Sequence, residues 1–243
     1  LNIISNMKLF FFFFHGETAV LSEEESNHFS KVLRGNEGDI IHITDGQGNL
    51  AECKVSHVSK KVVEAEVIQL QENFEQKKYY LHVAIAPTKT MERIEFFLEK
   101  ATEIGIDEIT FLQSFHSERK NIKVKKKKKI VQSATKQSLK AYLPKVNDLT
   151  KFIDFVQNDF SDYKKCIAHC ESDIDRTPFN QILIEQPAKI LLMIGPEGDF
   201  SRDEIKLAYE KDFFGISLGT QRFRTETAAL QAVFAADWAF NHK

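Results

Sequence analysis

The spacing of hydrophobic and polar positions changes near residue 77, and it predicts a different fold on each side of that point. Before it, apolar and polar residues alternate over 39–44 and 50–55, on either side of an Asp-Gly turn at 45–49. Residues 62–68 and the apolar stretch 10–14 predict two further strands. The first part of the chain is therefore predicted to be a small β-barrel that ends in a polar linker at 69–78.

Beyond the linker, strand-like and helix-like segments alternate. Apolar residues recur at helical spacing from 91 to 104, and Gly105 then acts as a stop signal. Ser201 and Glu204 form a capping-box pattern at the start of another helix. Strands are predicted at 79–86, 109–111, 166–168, 190–194 and 216–218, and a last helix at 225–239. This alternation predicts an α/β domain with a mostly parallel sheet and helices on both faces.

The two patterns predict two domains, residues 7–72 and residues 77–243. The six residues before Met7 are interpreted as upstream sequence without a function, because Met7 and Lys8 form a natural start for the first strand. The apolar run 9–14 is too short to cross a membrane, and no small-residue cleavage site follows it. We therefore expect a cytoplasmic protein without a membrane partner.

Two of the predicted strands end in glycine turns. Residues 195–198 read Gly-Pro-Glu-Gly, and Gly219 is followed by Arg-Thr-Glu-Thr-Ala at 224–228. The carboxyl ends of parallel strands meet at one edge of a sheet, where α/β folds bind small ligands, so the turns predict a pocket. An ordinary β-turn and a helix capped by Thr225 explain the same residues without a ligand. The turns match neither the G-x-G-x-x-G pattern nor a P-loop, which argues against a phosphate site.

Charge is distributed unevenly along the chain. The formal net charge is −2, yet residues 1–76 hold six Lys/Arg against twelve Asp/Glu. Residues 116–145 hold eleven Lys/Arg and one acidic residue, Glu118. The lysine run at 123–129 is typical of a solvated loop or helix face, and it also suits contact with an RNA backbone.

The three cysteines predict neither disulfides nor a metal site. Cys53, Cys166 and Cys170 are odd in number and sparse, as is usual in a reducing compartment. Cys166, His169 and Cys170 lie close together, but no second cluster completes a tetrahedral zinc site. Buried cysteines at a strand end are the favoured interpretation.

These motifs together resemble the ribosomal RNA small subunit methyltransferase E family. The resemblance covers nearly the whole chain from Met7, and the two C-terminal glycine motifs, in their order, are specific to it. It rests on residues 28–34, 38–39, 45–48, 89–92, 99–105, 137–138, 143–144, 195–198 and 224–228. It implies a PUA-like β-barrel followed by a SPOUT-class α/β domain with a C-terminal trefoil knot. It also implies a homodimer that transfers a methyl group from S-adenosyl-L-methionine to N3 of a uridine in 16S rRNA.

The resemblance also implies roles for individual residues. The cofactor is expected to lie against Met193, Ile194, Gly195, Gly198, Leu218, Gly219, Phe223, Arg224, Thr227 and Ala228. The catalytic candidates are Arg224, for charge developing on the uracil carbonyls, and either Glu197 or Glu226, for the N3 proton. RNA contacts are expected from Lys31, Arg34, Arg119, Lys123, Lys125, Lys136 and Lys140, and no metal is needed.

The chain departs from the family pattern at several places. Asp199 stands where a second glycine is usual, and Gln221 stands where an arginine is common, with Arg222 beside it. Alternative functions are a SPOUT methyltransferase for another RNA and an RNA-binding assembly factor without activity. A nucleotide hydrolase or synthetase ranks last, because no phosphate-loop or metal-carboxylate motif is present.

Overall fold

The computed structural model describes residues 8–12 and 16–241, which form two compact units. The first unit contains the residues up to Gln76 together with Thr135–Leu143, and the second contains Lys77–Ala134 and the residues from Pro144 onward. The segment interpreted as upstream sequence and the end of the strand predicted at 10–14 lie outside the described residues. No helix within the described ranges is both long enough and apolar enough to span a membrane.

The first unit is built on a curled five-stranded sheet. Its strands are β1 (Leu9–Phe11), β2 (Thr18–Val20), β3 (Ile40–Thr44), β4 (Leu50–Val58) and β5 (Val63–Gln71), in the order β1-β3-β4-β5-β2. The predicted hairpin is confirmed, since β3 and β4 pair antiparallel across the Asp-Gly turn. Helix α1 (Glu23–Asn27) begins at a Ser22 cap and continues as a π-helical turn, His28–Val32.

A distant segment completes the first unit. Leu143 N donates to Gly46 O at 2.8 Å, Gly48 N donates to Ala141 O at 3.0 Å, and the Thr44 hydroxyl donates to the same carbonyl at 3.1 Å. Residues 135–143 therefore pack with the β-sheet of the first unit. The two domains predicted at 7–72 and 77–243 stay a prediction, and within the second range residues 135–143 find backbone partners about a hundred residues earlier in the chain.

The second unit contains a seven-stranded sheet in which every pair of neighbours is parallel. Its strands are β6 (Tyr80–Ile85), β7 (Glu108–Gln113), β8 (Lys145–Lys151), β9 (Lys164–Ala168), β10 (Thr177–Pro178), β11 (Lys189–Ile194) and β12 (Phe214–Ser217). The order is β10-β12-β9-β11-β6-β7-β8. The predicted α/β class is confirmed, and the trefoil knot stays a prediction.

Helices cover both faces of this sheet. They are α2 (Met91–Ile104), α3 (Val124–Gln137), α4 (Phe152–Phe155), α5 (Phe179–Ile184), α6 (Arg202–Glu210) and α7 (Thr225–Asn241). Leu192 of β11 packs in one core with residues of α2, α5 and α7, while its neighbour Met193 packs in the other with α4 and α6. This alternation is why the strands read as continuous apolar runs.

Helix α3 contains most of the lysine run. It starts at Val124, inside the lysine run, and ends before Leu139 and Tyr142. One lysine of the run is buried, because Lys127 packs in the helix and donates to Glu95 at 2.7 Å. The run is therefore a helix face with one structural lysine.

A buried polar cluster lies on strands β6 and β7. His82 is buried and its Nε2 lies 2.8 Å from the Thr110 hydroxyl, while its Nδ1 lies 4.0 Å from Glu108. Tyr80 and Lys145 both donate to Glu108, at 2.8 and 2.9 Å. Burial lowers the pKa of His82 to about 4, although the negative charge of Glu108 acts to raise it.

This cluster makes stability depend on pH. Between pH 6.5 and 4 the unfolded chain protonates His82 and the folded chain does not, so the free energy of unfolding falls as the pH falls. The free energy of unfolding of the wild type is expected to fall between pH 7 and pH 4.5, and His82→Gln is expected to make that decrease smaller by about 2–3 kcal/mol. Denaturant titrations of both proteins at the two pH values check this, and an unchanged pH dependence in the variant would contradict it.

Candidate functional site

Loops from neighbouring strands meet at the carboxyl edge of the parallel sheet. Ladder pairing continues past the strand ends, since Ala86 N donates to Ile194 O at 2.9 Å. Glycine turns follow β11 and β12, as the sequence predicted, and the segment 86–90 connects β6 to α2. This edge is therefore the place where backbone groups and polar side chains can bind a small ligand.

Some of the residues expected to bind the cofactor are buried in the core, and others are exposed at the surface. Met193 and Ile194 are buried in the two cores of the second unit, so only their backbone is suited to contact a ligand. Gly219 is exposed and adopts φ of 127°, a conformation that side chains rarely tolerate. The others vary in exposure: Gly195 is buried, Leu218 and Ala228 are half-buried, and Gly198, Phe223, Arg224 and Thr227 are exposed.

Asp199 stabilises the first glycine turn. Its φ of 63° lies in the left-handed region, which explains why glycine is common at this place. Its carboxylate accepts hydrogen bonds from two backbone groups, Cys170 N at 2.6 Å and Phe200 N at 2.8 Å. Aspartate tolerates the left-handed conformation better than most residues, and here it also ties the turn to the end of β9.

Two substitutions separate these contributions. Both Asp199→Gly and Asp199→Ala lose the two hydrogen bonds. Glycine adopts the left-handed backbone conformation without strain, whereas alanine keeps the strain that its Cβ atom causes there. We expect the alanine variant to be less stable than the glycine variant by about 1 kcal/mol. Denaturant unfolding of the two variants measures the difference, and equal stability would contradict the assigned backbone strain.

The turn after β12 is held by side chains from both directions. The Ser217 hydroxyl donates to Gly219 O at 3.2 Å and accepts from Gly219 N at 3.3 Å. Gln231 of α7 donates to Leu218 O at 2.6 Å. The carbonyl of Arg224 accepts the first-turn bond from Ala228 N at 2.8 Å, so α7 starts directly beyond the turn.

The two candidate carboxylates differ in environment. Glu226 is buried, and its Oε2 has no hydrogen-bond partner among the described residues, while its Oε1 lies 4.0 Å from Arg93 Nε. Glu197 is exposed and accepts from Lys89 N at 3.3 Å. Both therefore contact the segment 89–93 at the start of α2. A buried carboxylate oxygen without a partner is costly, which makes Glu226 the carboxylate best suited to bind or react with a ligand.

The expected RNA-binding residues have different structural roles. In the second unit, Lys123 and Lys125 are exposed, and Arg119 donates two hydrogen bonds to Lys89 O at 2.9 and 2.6 Å. Arg119 therefore fixes the loop that carries it. In the first unit, Lys31 and Arg34 are exposed and Lys140 is half-buried, while Lys136 pairs with the buried Glu25 at 2.9 Å. Lys136 is thus a structural residue of that unit.

The cysteine interpretation needs one correction. Cys166 is buried, and burial raises the pKa of its thiol to about 12, but Cys170 is exposed instead of buried. Cys170 follows the end of β9, where its backbone bond to Asp199 leaves the side chain at the surface. Among residues 8–12 and 16–241 there is no group of three or more His, Cys, Asp or Glu side chains placed to hold a metal ion.

Three residues at this edge were not predicted from the sequence. Arg93 lies beside Glu226, Lys89 contacts Glu197 through its backbone, and His116 Nδ1 lies 3.1 Å from Asp199 O. Lys89 belongs to a motif of the family resemblance, which was a signal that could have identified it. Arg93 and His116 depend on contacts between distant segments, and no local pattern marks them.

A second surface feature of this unit is an apolar groove of about 950 Å³ between α2, α5 and α7. Ile184, Phe234 and Trp238 in its lining are 77%, 57% and 59% exposed. Val233, also on α7, is fully buried, and Phe240 stacks on Tyr79 at 4.4 Å between ring centroids. Some apolar residues of α7 are therefore part of the core, while Phe234 and Trp238 are exposed in the groove.

Comparison with known proteins defines the class to which the fold and site belong. Residues 75–237 match the family model of an RNA methyltransferase domain, and residues 21–68 match that of an RNA methyltransferase PUA domain. The chain is 30% identical over 232 residues to ribosomal RNA small subunit methyltransferase E of Bacillus subtilis, covering 91% of this chain and 90% of the relative. The same enzyme of Mesomycoplasma hyopneumoniae is 32% identical over 217 residues, covering 87% and 90%.

A solved structure agrees with these relatives. It is ribosomal RNA small subunit methyltransferase E of Neisseria gonorrhoeae bound to S-adenosyl methionine, with a TM-score of 0.80 and 25% identity over 93% of this chain and 95% of that one. The chain belongs to the ribosomal RNA small subunit methyltransferase E family.

Proposed function

We propose that this protein transfers a methyl group from S-adenosyl-L-methionine to N3 of a uridine in 16S rRNA of the small ribosomal subunit. The observation that carries the proposal is the match along nearly the whole chain to enzymes named for methylation of small-subunit ribosomal RNA. The similar structure from Neisseria gonorrhoeae holds S-adenosyl methionine, which supports this cofactor. The choice of uridine N3 comes from the family resemblance described above.

The residues at the carboxyl edge fit such a cofactor. The backbone at Gly219 is exposed in a conformation typical of glycine. Apart from its two chain neighbours, the only described residue within 4 Å of a Cβ at this position is Gln231, through its amide nitrogen at 4.0 Å. Further along the chain, at the start of α7, the buried oxygen of Glu226 that has no partner among the described residues offers an acceptor. We propose that the backbones of 193–195, Gly198 and 218–219 hold the cofactor, together with Phe223, Arg224, Thr227 and Ala228.

The chemistry assigns a task to each charged residue. When bound, the cofactor would supply an electrophilic methyl carbon, whose bond to sulfur would break as the bond to N3 forms, and the demethylated cofactor would then leave. Uracil N3 carries a proton, and Glu226 Oε2 takes it as the N3–carbon bond forms. Arg224 donates hydrogen bonds to a uracil carbonyl oxygen, where negative charge develops, and so stabilises the reacting anion. Glu197, which is exposed and bonded to Lys89 N, is the alternative proton acceptor.

The RNA partner is proposed to contact exposed cations of both units. Lys123 and Lys125 at the start of α3 in the second unit, and Lys31 and Arg34 in the first unit, are exposed and are suited to phosphate contacts. Arg119, Lys136 and Lys140 also remain proposed RNA contacts, although Arg119 and Lys136 already bind protein groups. Such contacts make binding strongly dependent on salt.

Methyl transfer to small subunits from a strain lacking this protein tests the proposal. The subunits are incubated with the protein and labelled S-adenosyl-L-methionine, and the RNA is then digested to nucleosides. Label in 3-methyluridine is expected. Cofactor binding without that product would point to another RNA, and absence of cofactor binding would favour an inactive RNA-binding protein. Protein-free 16S rRNA, tested in parallel, shows whether the assembled subunit is needed.

We also propose that the protein is a homodimer and that the groove along α7 is its interface. Exposed apolar residues concentrated on one helix face are typical of self-association. Trp238→Glu is expected to convert the dimer to a monomer, because it places a charge among Ile184 and Phe234. Light scattering measures the molar mass. Ile153→Glu, at a residue 49% exposed on α4, is the matched control and is expected to stay dimeric. A dimeric Trp238→Glu variant would contradict the assignment.

A further inference from the structure

The loop after β7, residues 114–121, presents an aromatic ring at the carboxyl edge of the sheet. Phe115 is 78% exposed, so its ring contributes little to the core. Its ring meets that of His116 edge to face, with centroids 5.0 Å apart and an interplanar angle of 80°. The ring is therefore accessible to a ligand that reaches this edge.

The loop is held firmly although its tip is exposed. Ser114 N donates to the Ser117 hydroxyl at 3.0 Å, and the two hydroxyls are also 3.0 Å apart. Phe115 N donates to Glu204 Oε1 at 2.8 Å. The Phe115 ring is therefore presented on a fixed backbone, which lowers the entropy cost of binding against it.

The same loop borders the glycine turn of the site. His116 Nδ1 lies 3.1 Å from Asp199 O, and a Cβ at Gly198 would lie 3.1 Å from the His116 Cβ. Lys89, whose carbonyl binds Arg119, donates its backbone N–H to the Glu197 carboxylate at 3.3 Å. The loop that carries Phe115 therefore lies against this turn through the neighbouring His116.

Cations lie along the rest of the loop. A pocket of about 380 Å³ is lined by Lys89, Glu118, Arg119, Lys120 and Asn121. Three of these residues are cationic, and Glu118 pairs with Lys89 at 3.3 Å in a solvent-exposed ion pair. Exposed pairs of this kind contribute little and open easily, so the lysines are accessible to an anionic ligand.

We propose that Phe115 stacks on a base of single-stranded RNA beside the nucleotide that is methylated, with the phosphates of that strand along Lys89 and Lys120. This inference rests on the function proposed above. Aromatic rings interleaved with cations are the usual surface for unpaired RNA bases, because each base offers a π-face and each link carries a charge. A protein interface would need further apolar residues around Phe115 to form its hydrophobic centre, whereas the neighbours of Phe115 in the loop are polar or charged.

Three substitutions at this residue test the proposal. Phe115→Ala removes the ring, Phe115→Leu keeps an apolar side chain without a π-face, and Phe115→Trp keeps stacking. With small subunits as substrate, kcat/KM is expected to fall about 5- to 100-fold for the alanine and leucine variants and to be retained by the tryptophan variant. The affinity for S-adenosyl-L-methionine, measured by calorimetry, is expected to stay unchanged in all three.

A fluorescence titration gives a readout that does not depend on catalysis. Single-stranded oligouridine is expected to quench the introduced indole of the Phe115→Trp protein beyond any change of Trp238 in the wild type. If the leucine variant were as active as the wild type, or all variants kept full activity, stacking would be refuted. If the wild type transferred no methyl group, the proposed function would fail, while quenching of the introduced indole would still support RNA stacking and its absence would refute it.

Discussion

Replacing Glu226 with glutamine is expected to lower the rate of methyl transfer by about 10²- to 10⁴-fold, the usual contribution of a positioned general base. Glutamine has nearly the same shape, so the packing at the start of α7 is kept while the ability to take a proton is lost. The expectation follows from the buried oxygen of Glu226, which has no partner among the described residues. Single-turnover methylation of small subunits with saturating cofactor measures the effect.

Glu197→Gln is the matched control for this experiment. Glu197 is exposed and its carboxylate accepts a backbone hydrogen bond, which a glutamine side-chain oxygen can also accept. We expect that variant to stay within a few-fold of the wild type. If the two variants exchanged these effects, Glu197 would be the proton acceptor. A large loss of cofactor affinity in Glu226→Gln, with catalysis otherwise intact, would instead assign Glu226 to cofactor binding.

Arg224→Ala is expected to reduce kcat/KM by about 10²- to 10³-fold while leaving the fold intact. Removal of one donor to a developing anion commonly costs this much, because no solvent molecule replaces it in the required position. Arg224 is exposed at the start of α7, so its truncation removes little packing. Thermal unfolding checks the fold, and methyl transfer to small subunits measures the activity.

Arg222→Ala separates a specific role of Arg224 from a general effect of charge. Both arginines are exposed in the same turn, and both changes remove one positive charge. A similar loss for the two variants would indicate simple attraction of RNA and would be relieved at low salt. Full activity of Arg224→Ala would refute its assignment to the reacting base.

Most helices and strands could be predicted from the sequence, because the apolar residues that they bury recur at regular spacing along the chain. The hairpin of β3 and β4, helix α2 with its stop at Gly105, and the strands before both glycine turns follow local patterns. Strand β8 was missed, because its sequence Lys-Val-Asn-Asp-Leu-Thr-Lys is polar, as suits a strand at the edge of a sheet. The return of residues 135–143 to the first unit depends on contacts that no local pattern records.

The position of the candidate site could be predicted from the sequence, because the ends of two strands are marked by glycine turns. Both glycine turns lie at the expected edge, and Glu226 and Arg224 lie at the start of α7, as the motif implied. The partners of these residues were not predictable from spacing alone. Asp199 binds Cys170 N across 29 positions, and Arg93 approaches Glu226 from another helix, so only the folded chain brings them together.

Glu204 uses both of its carboxylate oxygens on backbone donors. Oε2 accepts from Ser201 N at 2.9 Å and completes the capping box of α6, while Oε1 accepts from Phe115 N at 2.8 Å. Glutamate and glutamine are normally interchangeable at this place in a capping box, since one acceptor is enough there. Here a glutamine would satisfy one of the two amides and turn its own N–H groups toward the other. Glutamine therefore cannot replace glutamate at residue 204 without the loss of a hydrogen bond, because the start of α6 and the loop after β7 both bind this one side chain.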